Sequence, residues 1–278
     1  MNVRYWGVRG SVPVADAASL GYGGNTSCVS VELESGPRLV LDAGTGIRKL
    51  GQTIDPAAGP IHVLLTHLHL DHISGLLFFA PLFHPEADIT IWGPPGPRDL
   101  RRRLARYLSA PLSPVEIREL PAHVTFSECE PEGWRVGDAL VTGTQVVHRG
   151  PTIGYRIEEG DAALAYIPDH EPGLGQDLEH DPAEWISGHA LACGASLLIH
   201  DAQYTEEEYR GTRGWGHSRI ADALTFAQRT EAERVALFHH DPHHDDETLD
   251  AIAGEARAEW TGDADLSFAR EGEVVELV

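Results

Sequence analysis

The sequence predicts an α/β (α+β) chain of four layers, with two β-sheets packed face to face and helices on both outer sides, an αββα sandwich. Two observations predict it. Short β-branched runs alternate with helical patterns, yet meanders of consecutive strands interrupt the alternation, which suits paired sheets better than one doubly wound parallel sheet. In addition, 42% of the 278 residues are hydrophobic and 23% charged, with no Gly-, Pro-, Ser- or single-charge tract long enough to mark a linker. One domain spanning 1–278, without a disordered arm, is expected.

In chain order, strands are expected at 3–8, 28–34 and 38–42, runs rich in Val and Leu, the last two separated by Gly36-Pro37. A helix at 45–51 follows the turn Asp42-Ala43-Gly44. The apolar run at 61–66 makes the next strand and leads into a helix at 72–80. The β-branched stretch at 89–92 is a strand, and Pro97 opens a helix at 97–108. Strands at 140–147, 153–157 and 163–167 succeed one another across turns holding Gly150 and Gly160, and form the meander. A helix at 182–193, a strand at 197–200, a helix at 218–229 and a strand at 234–238 restore the alternation. A helix at 245–259, begun by Asp245 and Asp246, and a strand at 274–278 complete the chain.

No uncharged apolar run approaches the eighteen or so residues that span a bilayer, so a cytoplasmic protein without a membrane partner is expected. Cys28, Cys129 and Cys193 are too scattered for a disulfide framework and are expected to be buried. The net charge is −22, with Lys49 the only lysine. Such a balance repels polyanions at long range and disfavours a nucleic-acid-coating role.

The sixteen histidines cluster. The segment Thr66-His67-Leu68-His69-Leu70-Asp71-His72 follows the apolar run Ile61-His62-Val63-Leu64-Leu65. His148, Asp169, His200-Asp201 and His239-His240 likewise follow strand ends, where a rigid scaffold presents a site. Imidazole and carboxylate are zinc's preferred ligands after thiolate, and two cations need about seven protein donors and a hydroxide between them. In His-x-His-x-Asp-His, residues two apart on an extended turn can reach one ion, while the last two begin a helix and reach a second. His148 completes the first group, and Asp169, with two oxygens, serves both. Leu68 and Leu70 are expected to be packing residues.

These residues, with LDAGTG (41–46), THLHLDHISG (66–75), His148 followed by TIGYRI (152–157), YIPD (166–169), LLIHDAQY (197–204), GHS (216–218) and VALFHH (235–240), resemble the metallo-β-lactamase-fold hydrolases over nearly the whole length. Within them the chain is most similar to the branch of ribonuclease Z and the phosphoribosyl cyclic phosphodiesterases. The resemblance implies a metallo-β-lactamase sandwich with one ion on His67, His69 and His148, a second on Asp71, His72 and His239, and Asp169 bridging. It leaves His239 and His240 as alternatives by one residue of register, because Phe238 replaces a threonine of the pattern. Zinc is the implied metal, manganese the alternative. Asp42 is similar to a buried carboxylate that orients a ligand histidine. His217 resembles the histidine that protonates the leaving oxygen, and Asp201 stands where a carboxylate holds that imidazole; with Asp71 they form the implied catalytic set.

The resemblance implies a dinuclear metallohydrolase, expected to be a phosphodiesterase that cleaves a small phosphodiester, such as a cyclic nucleotide or cyclic phosphate, with the hydroxide between its metals. The alternatives are a tRNA 3′-processing endoribonuclease, a lactonase or other carboxyl-ester hydrolase, and, outside enzymes, a metal-loaded sensor or binding domain. RNA is disfavoured by the charge, by the absence of a Pro-x-Lys-x-Arg-Asn-like segment, and by the 21 positions between His148 and Asp169, too few for a tRNA-gripping arm. A homodimer is implied by the habit of the resembling families. Arg98, Arg102 and Arg106 share one face of the expected helix 97–108, which either grips phosphates or lies solvated. Two readings also stand for the glycines of RYWGVRGSVPV…GYGGNTSC, a turn between strands or amides near a phosphate.

Overall fold

In the computed structural model, which describes residues 1–130 and 132–278, two seven-stranded sheets face each other. The first contains β1 (Asn2–Gly7), β2 (Cys28–Glu32), β3 (Arg38–Leu41), β4 (Ile61–Leu64), β5 (Asp88–Gly93) and β6 (His123–Glu128) in that order, with β14 (Val274–Glu276) on the outer side of β1. The second runs β13 (Asp265–Phe268), β12 (Arg234–Phe238), β11 (Leu197–Asp201), β10 (Ala162–Ile167), β9 (Ile153–Glu159), β8 (Ala139–Gln145) and β7 (Trp134–Val136). The helices are α1 (Ile47–Gly51), α2 (Leu70–Ile73), α3 (Leu100–Leu104), α4 (His189–Ala192), α5 (Glu206–Thr212), α6 (Ile220–Thr230) and α7 (Asp246–Glu259).

The four layers follow from strand alternation. Leu39 and Leu41 of β3 point into the core between the sheets, where they join Leu64, Tyr155, Leu164, Tyr166 and Phe238, while Val40 points outward against Ile47 and Leu50 of α1. Ile199 of β11 likewise enters the central core, and Leu198 turns outward to the cluster holding Phe226 of α6 and Leu249 of α7. Both faces of β3 and β11 are therefore apolar over Leu39–Leu41 and Leu197–Ile199, which is why these strands read as continuous hydrophobic runs.

Strands β3 to β6 are parallel, as are β10 to β13. Their carboxyl ends gather at one edge of the sandwich, and the segments after β3, β4, β10, β11 and β12 meet there.

Several expectations change. Strands β6, β7 and β13 were not expected, and all three are sheet edges whose partner strand supplies what their half-polar sequences lack. The helix expected at 72–80 is the single turn α2 followed by 3₁₀ turns at Leu76–Phe78 and Ala80–Phe83, the second opened by Pro81. The helix expected at 182–193 is split by Gly188 at φ 74°. The helix expected at 97–108 starts only at Leu100, where the Asp99 carboxylate accepts from the Arg102 amide, so Arg98 and Arg106 lie outside it and the three-arginine face is not formed. Helix α5 was missed although Thr205 and Glu208 form a capping box. Cys193 is exposed, not buried. Among the described residues, no helix is long and apolar enough to cross a membrane.

Candidate metal centre

Strand β4 ends at Leu64, and His67 follows in a buried turn, 2% exposed. His69 is the N-cap of α2, and Asp71 and His72 lie in that helix's first turn, so helical geometry turns both toward the second sheet. Asp169 enters after β10 and His239 directly after β12; His148 lies in the connection between β8 and β9. The structure brings all seven together in two groups that share Asp169: His67, His69, His148 and Asp169, and Asp71, His72, His239 and Asp169.

Each oxygen of Asp169 faces one group. Oδ2 lies 3.7 Å from His67 Nε2 and 3.6 Å from His148 Nε2. Oδ1 lies 3.0 Å from His72 Nε2 and 3.3 Å from His239 Nε2, and Asp71 Oδ2 is 3.4 and 3.3 Å from the same two nitrogens. The Nε2 atoms of His67, His72 and His239, and Asp169 Oδ1, are buried without a hydrogen-bond partner. Unsatisfied buried polar atoms are costly, on the order of 1–3 kcal/mol each. One such nitrogen in the first group and three such atoms in the second, all of metal-ligating type, fit a pair of divalent cations.

The other ring nitrogens fix which atom points inward. His72 Nδ1 donates to Asp42 Oδ2 at 2.8 Å, and Asp42 also accepts from the Thr66 amide and the Tyr166 hydroxyl. The Thr66 hydroxyl is spent on Asp42, so His67 Nδ1 donates to Thr66 Oγ1 at 3.1 Å. His148 Nδ1 donates to the Gly216 carbonyl at 2.6 Å, and His239 Nδ1 to Gln203 Oε1 at 3.0 Å. His69 instead turns Nδ1 toward His148 Nε2, 3.2 Å away.

Burial pushes the pKa of His67, His69 and His148 down, with neighbouring imidazoles adding to the effect, and so favours the neutral, ligating form. For His72, burial opposes the charge, but Asp169, Asp42 and Asp71 pull its pKa well above the usual histidine value. The surrounding imidazoles hold Asp169 and Asp71 below the ordinary carboxylate range despite burial. The centre is thus a field that attracts cations. Three of its residues, Ser11, Asp42 and His239, have positive φ of 59–61°, strain on the order of 1 kcal/mol each that the surrounding contacts hold in place.

His217 adjoins both groups. Its ring stacks on His239 with centroids 4.9 Å apart and meets His148 edge-on at 5.0 Å. Nδ1 donates to Asp201 Oδ2 at 2.7 Å, and buried Asp201 is itself held by the amides of His170 and Gln203. Burial of His217 opposes its charge, but Asp201 and then Asp169 and Asp71 raise its pKa to about 9.

His240 is excluded from the cluster: Nε2 donates to the Ala269 carbonyl, the ring packs on Phe268, and burial lowers its pKa to about 3. His200 is also elsewhere, buried against Phe226 and hydrogen-bonded to His170. Asp245 caps α7 through the Thr248 amide, and His244 donates to Glu208.

Four contributors were not foreseen. A Cβ on Gly10 would lie 2.3 Å from His239 Nδ1, and the Ser11 amide donates to Asp71 Oδ2 at 2.8 Å, so the glycine-rich N-terminal loop closes over the second group. Gln203 passes the hydrogen bond of His239 on to Asp241. Glu171, 1% exposed, accepts from Tyr209 Oη and from the amides of Gly214 and Gly216, and so anchors the loop that carries both the His148 acceptor and His217. Only Gly10-Ser11, just after a strand, carried a sequence signal. Leu70 is not a packing residue, being 63% exposed.

A family model described as the beta-lactamase superfamily domain matches residues 37–240. The chain belongs to that superfamily. This β-lactamase superfamily chain is 25% identical to the ribonuclease Z of Haloferax volcanii over 282 residues, covering 86% of this chain and 84% of the relative. Among solved structures, zinc-bound PqqB from Methylobacterium extorquens superposes with a TM-score of 0.73 at 19% identity, over the whole of both chains. A diphosphatase of the PhnP family superposes with a TM-score of 0.70 at 18% identity, covering 99% of this chain and 97% of that one. The two mixed sheets with outer helices are the metallo-β-lactamase fold, and the chain is a metal-dependent hydrolase.

Proposed function

We propose that this hydrolase is a phosphodiesterase in which His67, His69 and His148 hold one divalent ion, Asp71, His72 and His239 a second, and Asp169 both. Zinc suits the nitrogen-rich first group, and manganese is tolerable where carboxylates dominate. When bound, the ions supply a nucleophile from water at neutral pH and neutralise charge on the phosphoryl oxygens. The observation that carries the phosphodiester reading is His217 locked to Asp201 beside both groups. Phosphodiester cleavage expels an alkoxide, a poor leaving group that needs a proton, and the charged imidazole supplies it from Nε2 while Asp201 holds Nδ1. A lactonase or a sensor has less use for such an acid.

For the substrate, the curated relatives named ribonuclease Z favour an RNA 3′ end, and so support the tRNA-processing alternative over the small cyclic diester expected from charge. The charge of −22 is a weak objection at close range: fields are screened beyond about 8 Å at physiological ionic strength, and two dications add positive charge where the phosphate docks. The small diester stays as the second reading because of the likeness to the PhnP-family diphosphatase. The deciding experiment offers the zinc-loaded protein a precursor tRNA with a 3′ trailer, cyclic nucleotides, bis(p-nitrophenyl) phosphate and a lactone. Trailer cleavage supports the RNA reading, cleavage of cyclic nucleotides alone supports the small-diester reading, and turnover of the lactone alone overturns both.

A further inference from the structure

Arg9, 0% exposed, directly precedes the Gly10-Ser11 pair that closes over the second group. Among the described residues its guanidinium has no carboxylate within ion-pair distance. It donates instead to three main-chain carbonyls: Nε to Gly23 at 2.8 Å, and Nη1 to Asp241 at 3.1 Å and to His244 at 2.6 Å. The carboxylates of Asp246, Glu271 and Asp241 favour its charge only from further away. A buried charge without a close counter-ion is costly, and simple core filling is served better by an apolar residue of similar length. The guanidinium is therefore to be explained by what it holds.

Its three acceptors lie in two segments far apart in sequence, the return at 21–26 that leads into β2 and the segment 239–244 that follows β12. The main chain joins the same two: the Arg9 amide donates to the Asn25 carbonyl and the Gly10 amide to the His240 carbonyl, each at 3.0 Å. Acids hold the return from its other side. Asp246 accepts from the amides of Gly21 and Tyr22, and Glu271 from the amide and side chain of Asn25, so these amides are not free for a phosphate and the glycine-rich block acts as a brace. Two residues at this junction, Ser11 at φ 60° and His239 at φ 61°, are strained, and such conformations persist only where the surrounding contacts over-determine them. Through the same two residues the junction meets the centre: the Ser11 amide donates to Asp71 Oδ2 at 2.8 Å, and His239 lies against Gly10. The first group is held elsewhere, His67 by Thr66 and His148 by Gly216.

We infer that Arg9 is a positioning residue for the second metal ion, whose affinity it sets by holding Ser11 against Asp71 and Gly10 against His239. The effect is one of geometry, since the positive charge of Arg9 by itself repels a nearby cation. The inference rests on the two-ion reading of the centre and adds to it that the two ions depend on different parts of the chain.

The test sets the full chain in competition with a chromophoric chelator for zinc and reads two binding steps. The steps lost in His239→Ala and in His69→Ala mark the second and the first group. Arg9→Lys keeps the charge but loses the planar fork, and Arg9→Met keeps the approximate length and loses both. Each is expected to weaken the second-group step by about 10–100-fold, the usual worth of a partner that orients a ligand, and to leave the first within about threefold. Circular dichroism of the metal-free variants checks the fold. Both steps weakened alike, as a merely structural role requires, or an unchanged or tighter second step in either folded variant, overturns the inference. If neither Arg9 variant folds, Glu271→Ala decides, because it loosens the same return from a position nearer solvent. Weakening of the second step alone then upholds the inference, and no change or an equal loss at both steps overturns it. A single step in the native protein refutes the two-ion reading, and the inference falls with it.

Discussion

Replacing His217 with alanine separates proton donation from mere positioning at this centre. Nδ1 lies 2.7 Å from a fully buried Asp201, and the ring's pKa is raised to about 9, so the free protein carries the proton at neutral pH. Dications bound nearby would lower that value, because like charge disfavours the protonated ring. Loss of a positioned acid costs about 10²–10⁴-fold in turnover, or roughly 3–5 kcal/mol of barrier. Loss of a hydrogen bond that only orients substrate costs about 1 kcal/mol, near fivefold, whatever the leaving group. The fold is expected to survive His217→Ala, because Asp201 keeps the amides of His170 and Gln203 as donors. The assay measures kcat on an alkyl phosphodiester and on its p-nitrophenyl counterpart, with metal content checked in parallel. The expected result is two to four orders of magnitude lost on the alkyl ester and a much smaller loss on the p-nitrophenyl ester, whose phenolate leaves without a proton. Asp201→Asn should give the same pattern more mildly and shift the alkaline limb of the rate profile to lower pH, since removing the carboxylate charge lowers the pKa of His217. Equal losses on the two esters, or full activity on the alkyl ester, would refute the reasoning.

Elemental analysis should find close to two transition-metal ions per chain, and Asp169→Asn should reduce content and activity more than any single ligand-histidine variant, because Asp169 faces both groups; one retained ion at full activity would contradict this. Glu171→Gln should lower activity at least tenfold while retaining the fold, because its carboxylate anchors Gly214 and Gly216 and, through Gly216, orients His148; a weaker metal affinity by competitive chelation should accompany the loss. For the metal-free protein, burial lowers the His200 pKa to about 4 from the ordinary 6.5, so the fold favours the neutral ring. Its contribution is intact above pH 6.5 and declines as pH falls toward 4, where the unfolded chain binds a proton the fold refuses, a loss of about 3 kcal/mol. Urea unfolding at pH 7.5 and 4.5 should show this slope flattened in His200→Phe, and an unchanged slope would count against it.

Much of the centre is legible in the sequence because it is built locally. His67, His69, Asp71 and His72 lie within six residues, and the strand-to-turn-to-helix context that separates them into two groups is written in the same stretch. The buried central strands are equally plain, since having both faces covered requires an unbroken apolar run. Other features depend on partners distant in the chain. Strands β6, β7 and β13 interleave polar residues with apolar ones and lack the unbroken apolar run of the central strands, and they pair because a neighbour's edge offers hydrogen bonds. The choice of His239 over His240 depends on Gln203 accepting from Nδ1 of one ring, which leaves its Nε2 facing Asp71 and Asp169, while Ala269 and Phe268 take the other. Gly10 is required by a histidine more than two hundred positions away, and Glu171 acts only because the chain returns at 209–216 to meet it. Residue type and local spacing determine which side chains can ligate; which nitrogen of His72, His148 and His239 faces inward is decided by hydrogen bonds to Asp42, Gly216 and Gln203, partners that only the folded chain brings near.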